Sequence, residues 1–62
     1  MPLVHISMFK GRTMEQRREM VKEVTDSLVK TLQCDKEAVR IVIREVERDD
    51  VSVGGVLYSD LD

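Results

Sequence analysis

Two runs of alternating side chains flank one long amphipathic stretch, and that order leaves this chain few ways to fold. Leu3 to Phe9 alternates with a period of two, placing Val4, Ile6 and Met8 on one face and Leu3, His5, Ser7 and Phe9 on the other, which predicts a strand. Val39 to Val46 alternates in the same way, with Val39, Ile41 and Ile43 opposed to Arg40, Val42, Arg44 and Val46. Between them, Val21, Val24, Leu28 and Leu32 fall on one helical stripe with Met20 and Thr31 at its margin. Glu15, Arg18, Glu19, Lys22, Glu23, Asp26 and Lys30 occupy the other faces. The spacing predicts a helix from about Met14 to Leu32. Lys10-Gly11-Arg12 breaks the first strand, and Thr13 followed three residues later by Gln16 has the capping-box pattern of a helix start. Asp35-Lys36-Glu37 is a polar break, with Asp35 placed to cap a short turn.

Strand, helix and strand within about 45 residues make a βαβ unit, whose strands run parallel through a right-handed crossover. Arg48-Asp49-Asp50 then reads as a charged turn. Two short apolar arms, Val51-Ser52-Val53 and Val56-Leu57-Tyr58, surround Gly54-Gly55 in a hairpin pattern, and Ser59 to Asp62 form the tail. The expected fold class is α/β (α+β): a β-α-β unit with a parallel strand pair plus a short C-terminal hairpin. A single domain over residues 1–62 is expected, without repeats, linkers or low-complexity segments.

One helix can cover only one face of a two-stranded sheet, so the other aliphatic face stays open. A chain of 62 residues buries only about 60% of the surface its unfolded form exposes, and domains this small usually need a staple. Cys34 is the only cysteine, which excludes an internal disulfide, and no Cys/His pair has the spacing of a structural metal site. Association with further copies is the remaining staple. The apolar residues suit it, being aliphatic apart from one Phe and one Tyr.

The formal net charge of -2, without a basic tract or an aromatic platform for bases, argues against a nucleic-acid partner. No stretch approaches the ~20 apolar residues of a membrane span, and the start lacks a signal-peptide pattern. A cytoplasmic, reduced protein is expected.

Only Met1 precedes Pro2. Trimming of that methionine, the usual fate of Met before a small residue, would leave a free secondary amine able to carry protons. An internal proline nitrogen is an amide and cannot do this. In a parallel pair both strand starts lie at one end of the sheet, so Pro2 and Arg40 share an edge. Arg12 follows the end of the first strand, about 20 Å from Pro2 at roughly 3.3 Å per extended residue. An arginine side chain spans only about 7 Å. A site using Pro2, Arg40 and Arg12 together therefore has to be assembled from more than one subunit.

Met1-Pro2, Gly11-Arg12, Arg40 within Val39-Arg40-Ile41-Val42-Ile43 followed by Glu45, and Val53-Gly54-Gly55 together resemble the 4-oxalocrotonate tautomerase family over essentially the whole chain. The resemblance implies a homohexamer, a trimer of dimers with pockets at subunit junctions, and a keto-enol isomerase needing neither cofactor nor metal. By the same resemblance, Pro2 is the general base, and Arg40 binds the 2-oxo or hydroxyl side and a carboxylate. Arg12 grips the far carboxylate. The implied substrate is a dicarboxylate such as 2-hydroxymuconate, or a similar 2-hydroxy-dienoate, as in aromatic-ring catabolism. Val51 stands where studied members carry a Phe wall, which loosens the expected fit, and Phe9 is expected to compensate as a wall. Asp60-Leu61-Asp62 replaces the basic end of some members.

Two other readings keep the same residues. A lyase or dehalogenase of the superfamily would use a protonated Pro2 as acid and needs a carboxylate to activate water, for which the sequence offers no clear candidate. A non-catalytic oligomeric or ligand-binding subunit would keep the fold while Val51 spoils the pocket. His5 reads as a packed or interface residue rather than a proton shuttle, and Cys34 as a passive small residue rather than a nucleophile. Gly54-Gly55 is too short for a phosphate loop.

Overall fold

The computed structural model describes residues 1–61. Strand β1 spans Leu3–Phe9, helix α1 Met14–Leu32, β2 Arg40–Val46, β3 Ser52–Val53 and β4 Val56–Leu57, with single 3₁₀ turns at Lys36–Ala38, Arg48–Asp50 and Tyr58–Asp60. β1 and β2 pair in parallel from Leu3↔Arg40 to Phe9↔Val46. β3 and β4 form an antiparallel hairpin through Ser52↔Leu57 and Val53↔Val56. Gly54 and Gly55 turn it with φ of 60° and 84°. Positive φ at both central residues gives a two-residue loop whose twist matches that of its strands. The expected α+β arrangement is the one observed.

Helix α1 starts where its first free N–H groups find side-chain acceptors. Thr13 Oγ1 accepts from the Gln16 N–H at 3.1 Å, and Gln16 Oε1 accepts from the Thr13 N–H at 3.0 Å. Glu15 in the first turn and Lys30 in the last complement the helix dipole. Gln33, left-handed at φ 53°, ends the helix and turns the chain back toward the sheet.

Three expectations need correction here. Asp35 makes no capping bond through its side chain. The turn after it is closed by backbone instead, with Ala38 N–H donating to Asp35 O at 3.0 Å and Val39 N–H donating to Lys36 O at 3.1 Å. That second bond uses the Val39 N–H, so β2 begins at Arg40 rather than Val39. Finally, the buried stripe of α1 stops early: Leu32 is 57% exposed and Thr31 is exposed too. Nineteen helical residues rise about 28 Å, whereas seven strand residues extend about 23 Å, so the last helical turn overhangs the sheet.

Val4, Ile6, Met8, Ile41 and Ile43 on one side of the sheet are half-buried, as are Met20, Val21, Val24 and Leu28 of α1. At the margin, the Arg17 guanidinium lies 3.8 Å from the Glu45 carboxylate and ties α1 to β2. The opposite face carries Leu3, His5, Ser7, Arg40, Val42 and Arg44, all exposed. None of the described residues is fully buried. Leu3 at 57%, Val42 at 49% and Val53 at 53% expose large apolar side chains. The radius of gyration is 14.8 Å, well above the roughly 10.6 Å of a compact chain this long. The chain is thus a helix-on-sheet layer with a C-terminal hairpin, and no described element covers the second face of its β1–β2 sheet.

Candidate active site

The parallel register places Pro2 at one end of the sheet, immediately before the Leu3↔Arg40 pair. Its carbonyl accepts the Arg40 N–H at 3.0 Å. Pro2 is half-buried and Arg40 exposed, so the two meet at the rim of the sheet as the strand direction requires. Arg40 Nη1 donates to the Glu37 carbonyl and lies 3.4 Å from that of Val39, which anchors the guanidinium to the preceding turn. Among the described residues no carboxylate side chain pairs with it. With Met1 attached, the Pro2 nitrogen is an amide, so a basic amine appears there only when Met1 is absent.

Arg12 lies beyond the opposite end of β1. Gly11, at φ 123°, ends the strand in a conformation that favours glycine. An open groove beside it is lined by Met8, Phe9, Lys10, Gly11 and Arg12. Arg12 is exposed, and among the described residues no carboxylate pairs with it. Neighbouring Lys10 is different: its Nζ sits 2.9 Å from Glu47 Oε1, and this hydrogen bond with the adjacent negative charge raises the lysine pKa. The free cation of the groove is therefore Arg12.

A second groove adjoins the first, lined by Ser7, Met8, Phe9, Val46, Val51 and Tyr58. Phe9 and Val51 thus come together, at the Arg12 end of the sheet and away from Pro2. The five candidate residues divide into two groups within one chain, Pro2 with Arg40 at one end and Arg12 with Phe9 and Val51 at the other.

Sequence reasoning missed Tyr58 and Arg48. The Tyr58 and Phe9 rings lie 5.1 Å apart at 43°. The Arg48 guanidinium sits 6.0 Å from the Phe9 ring centre and 5.9 Å from that of Tyr58, and donates from Nη2 to the Tyr58 carbonyl at 2.9 Å. Tyr58 N–H in turn donates to the Val51 carbonyl at 2.8 Å. The available signal was that Phe9 and Tyr58 are the only aromatic residues of the chain. His5 lies on the open face of the sheet, and half-buried Cys34 has its Sγ 3.9 Å from the Leu28 carbonyl. Neither touches the two grooves.

Comparison with known proteins gives one consistent result. Residues 2–61 match the tautomerase enzyme family. A probable tautomerase of Staphylococcus epidermidis is 42% identical over 60 residues, covering 97% of this chain and 98% of that protein. Among solved structures, YwhB, a homologue of 4-oxalocrotonate tautomerase, superposes with a TM-score of 0.94 at 34% identity, covering 98% of this chain and all of the other. A heterohexamer 4-oxalocrotonate tautomerase from Chloroflexus aurantiacus superposes with a TM-score of 0.92 at 29% identity over the full length of both chains.

Proposed function

The chain belongs to the tautomerase family, and from that premise we propose that it is a cytoplasmic, homohexameric keto-enol isomerase acting on 2-hydroxymuconate or a similar 2-hydroxy-dienoate. Residues 1–62 act as one tautomerase-like domain in a trimer of dimers. Pro2, freed by removal of Met1, takes the proton of the 2-hydroxyl group and returns it to carbon, leaving the conjugated 2-oxo acid. The reaction is proton transfer alone and uses no cofactor.

The observation that carries this reading is the division of the candidate residues between the two ends of one sheet. A base paired with one arginine at one end, and a second arginine with apolar walls at the other, complement each other when two subunits meet end to end. The uncovered sheet face, where Leu3 and Val42 stand exposed, and exposed Val53 of the hairpin give them a reason to meet. Arg40 receives the 2-oxygen and its neighbouring carboxylate, stabilising the oxyanion that develops as the proton leaves. Arg12 from another subunit binds the far carboxylate and draws electron density along the conjugated chain. The planar guanidinium suits both roles because it meets a carboxylate in a bidentate manner.

An α-amino group titrates near 7.7 to 8.0 and a secondary amine higher, so the base has to be tuned downward for neutral pH. Partial burial of Pro2 and the charge of nearby Arg40 both act in that direction. The test is turnover of 2-hydroxymuconate, phenylpyruvate and 3-chloroacrylate by protein whose intact mass shows Pro2 first. Isomerisation of the dienol without dehalogenation supports the proposal. No turnover of any of the three overturns it for these substrates.

A further inference from the structure

We propose that Arg48 is a positioning residue that holds Phe9 and Tyr58 as one aromatic wall, against which the flat conjugated segment of a substrate lies. The proposal deepens the tautomerase reading and rests on it for the identity of the ligand.

The chain has one Phe, one Tyr and no Trp, and both aromatic rings border the same apolar groove. They come from distant parts of the sequence. Phe9 ends β1, whereas Tyr58 opens the 3₁₀ turn after the hairpin. Ring centres 5.1 Å apart with planes tilted by 43° are within the preferred range for an aromatic pair. Val51 reaches the same groove but is too small to close it, so the aromatic surface there is supplied from the flanks. A planar polyene stacks on such a surface, while a saturated chain of equal length cannot.

What fixes the wall is Arg48, in the turn Arg48–Asp50. Its guanidinium lies near 6 Å from both ring centres, within cation-π range. The same group donates to the Tyr58 carbonyl at 2.9 Å, so a single side chain holds both the ring and the backbone of Tyr58. The Tyr58 N–H, bonded to the Val51 carbonyl at 2.8 Å, links the third groove residue to the same unit. Removing Arg48 would leave the backbone of Tyr58 held by that bond and by the Leu61 N–H, which donates to its carbonyl at 3.1 Å, but its ring held only by the contact with Phe9. No carboxylate side chain among the described residues pairs with Arg48, which is consistent with its charge being directed to the rings.

The experiment compares Arg48→Ala and Arg48→Lys with the parent in two measurements. The first is near-ultraviolet circular dichroism, where the tyrosine band belongs to Tyr58 alone. The second is steady-state turnover of 2-hydroxymuconate. Arg48→Ala should lose most of the Tyr58 band with unchanged oligomer size, and should raise KM about tenfold while kcat moves less than about twofold. Arg48→Lys keeps the charge but loses the planar fork, and should fall between the two. A purely structural role would lower thermal stability without separating KM from kcat. An unchanged Tyr58 band in Arg48→Ala, or a KM equal to the parent's, overturns the proposal. If Arg48→Ala fails to assemble, Arg48→Lys decides by the same criteria. If the parent turns over nothing, the dichroism alone decides whether Arg48 positions Tyr58, so failure of the tautomerase reading remains distinguishable from failure of this one.

Discussion

Because Pro2 and Arg12 lie at opposite ends of β1, no subunit can bring its own pair to one substrate. Seven strand residues at roughly 3.3 Å each separate them by more than 20 Å, about three times the reach of an arginine side chain. This makes subunit complementation a quantitative test. Pro2→Ala replaces the secondary amine and its ring with a primary amine on a more flexible terminus, Arg12→Ala removes the distal cation, and each homogeneous oligomer should lose about a hundredfold or more in kcat/KM. When equal amounts of the two variants are co-refolded, a site is intact only if it draws Pro2 from an Arg12→Ala chain and Arg12 from a Pro2→Ala chain. Each has a chance of one half, so about a quarter of the sites should be native in a randomly mixed closed oligomer. The assay is turnover of the co-refolded mixture against the two parents refolded separately and combined. Recovery of about a quarter of wild-type activity is expected. A mixture no more active than the combined parents would refute the division of the site between chains.

Other substitutions probe the fold that positions the site. Thr13→Ala removes one half of the reciprocal cap of α1 and should destabilise the protein by about 1 kcal/mol in chemical denaturation, with little effect on turnover once assembled. Val42→Asp places a charge on the open face at a position already half exposed in the isolated subunit. Light scattering should show smaller particles that retain their helical signal. The Lys10–Glu47 pair raises the lysine pKa in the folded state, so its contribution is fully present below the unfolded value of 10.5 and is lost as pH rises through the higher folded value. Glu47→Gln should therefore narrow the difference in melting temperature between neutral and strongly alkaline pH, slightly, because the pair is exposed and screened by salt.

The parts of this fold that local pattern determines were readable from the sequence. β1 and α1 have the expected limits because period-two alternation, the Thr13/Gln16 cap and the helical stripe all act within a few residues. The Gly54-Gly55 turn was equally plain, since positive φ at two adjacent positions leaves few alternatives to glycine. Leu32 was misplaced because its exposure depends on the length of the sheet beneath it, which the helical period does not contain. Asp35 has the residue type of a cap, but the turn closes through backbone bonds without its side chain. The closeness of Pro2 and Arg40 follows from strand direction alone. Arg48 and Tyr58 were missed because their contact joins a charged turn to the end of a hairpin, ten residues on. A charged turn taken in isolation looks solvated.

If a free Pro2 amine is the base, blocking its nitrogen should abolish turnover. Turnover of 2-hydroxymuconate should be measured on two preparations of equal oligomeric state, one whose intact mass shows Met1 retained and one beginning at Pro2. Activity is expected in the second preparation and, in the first, only what its residual trimmed fraction supplies. Equal activity in both would contradict it, because an amide nitrogen cannot carry the proton.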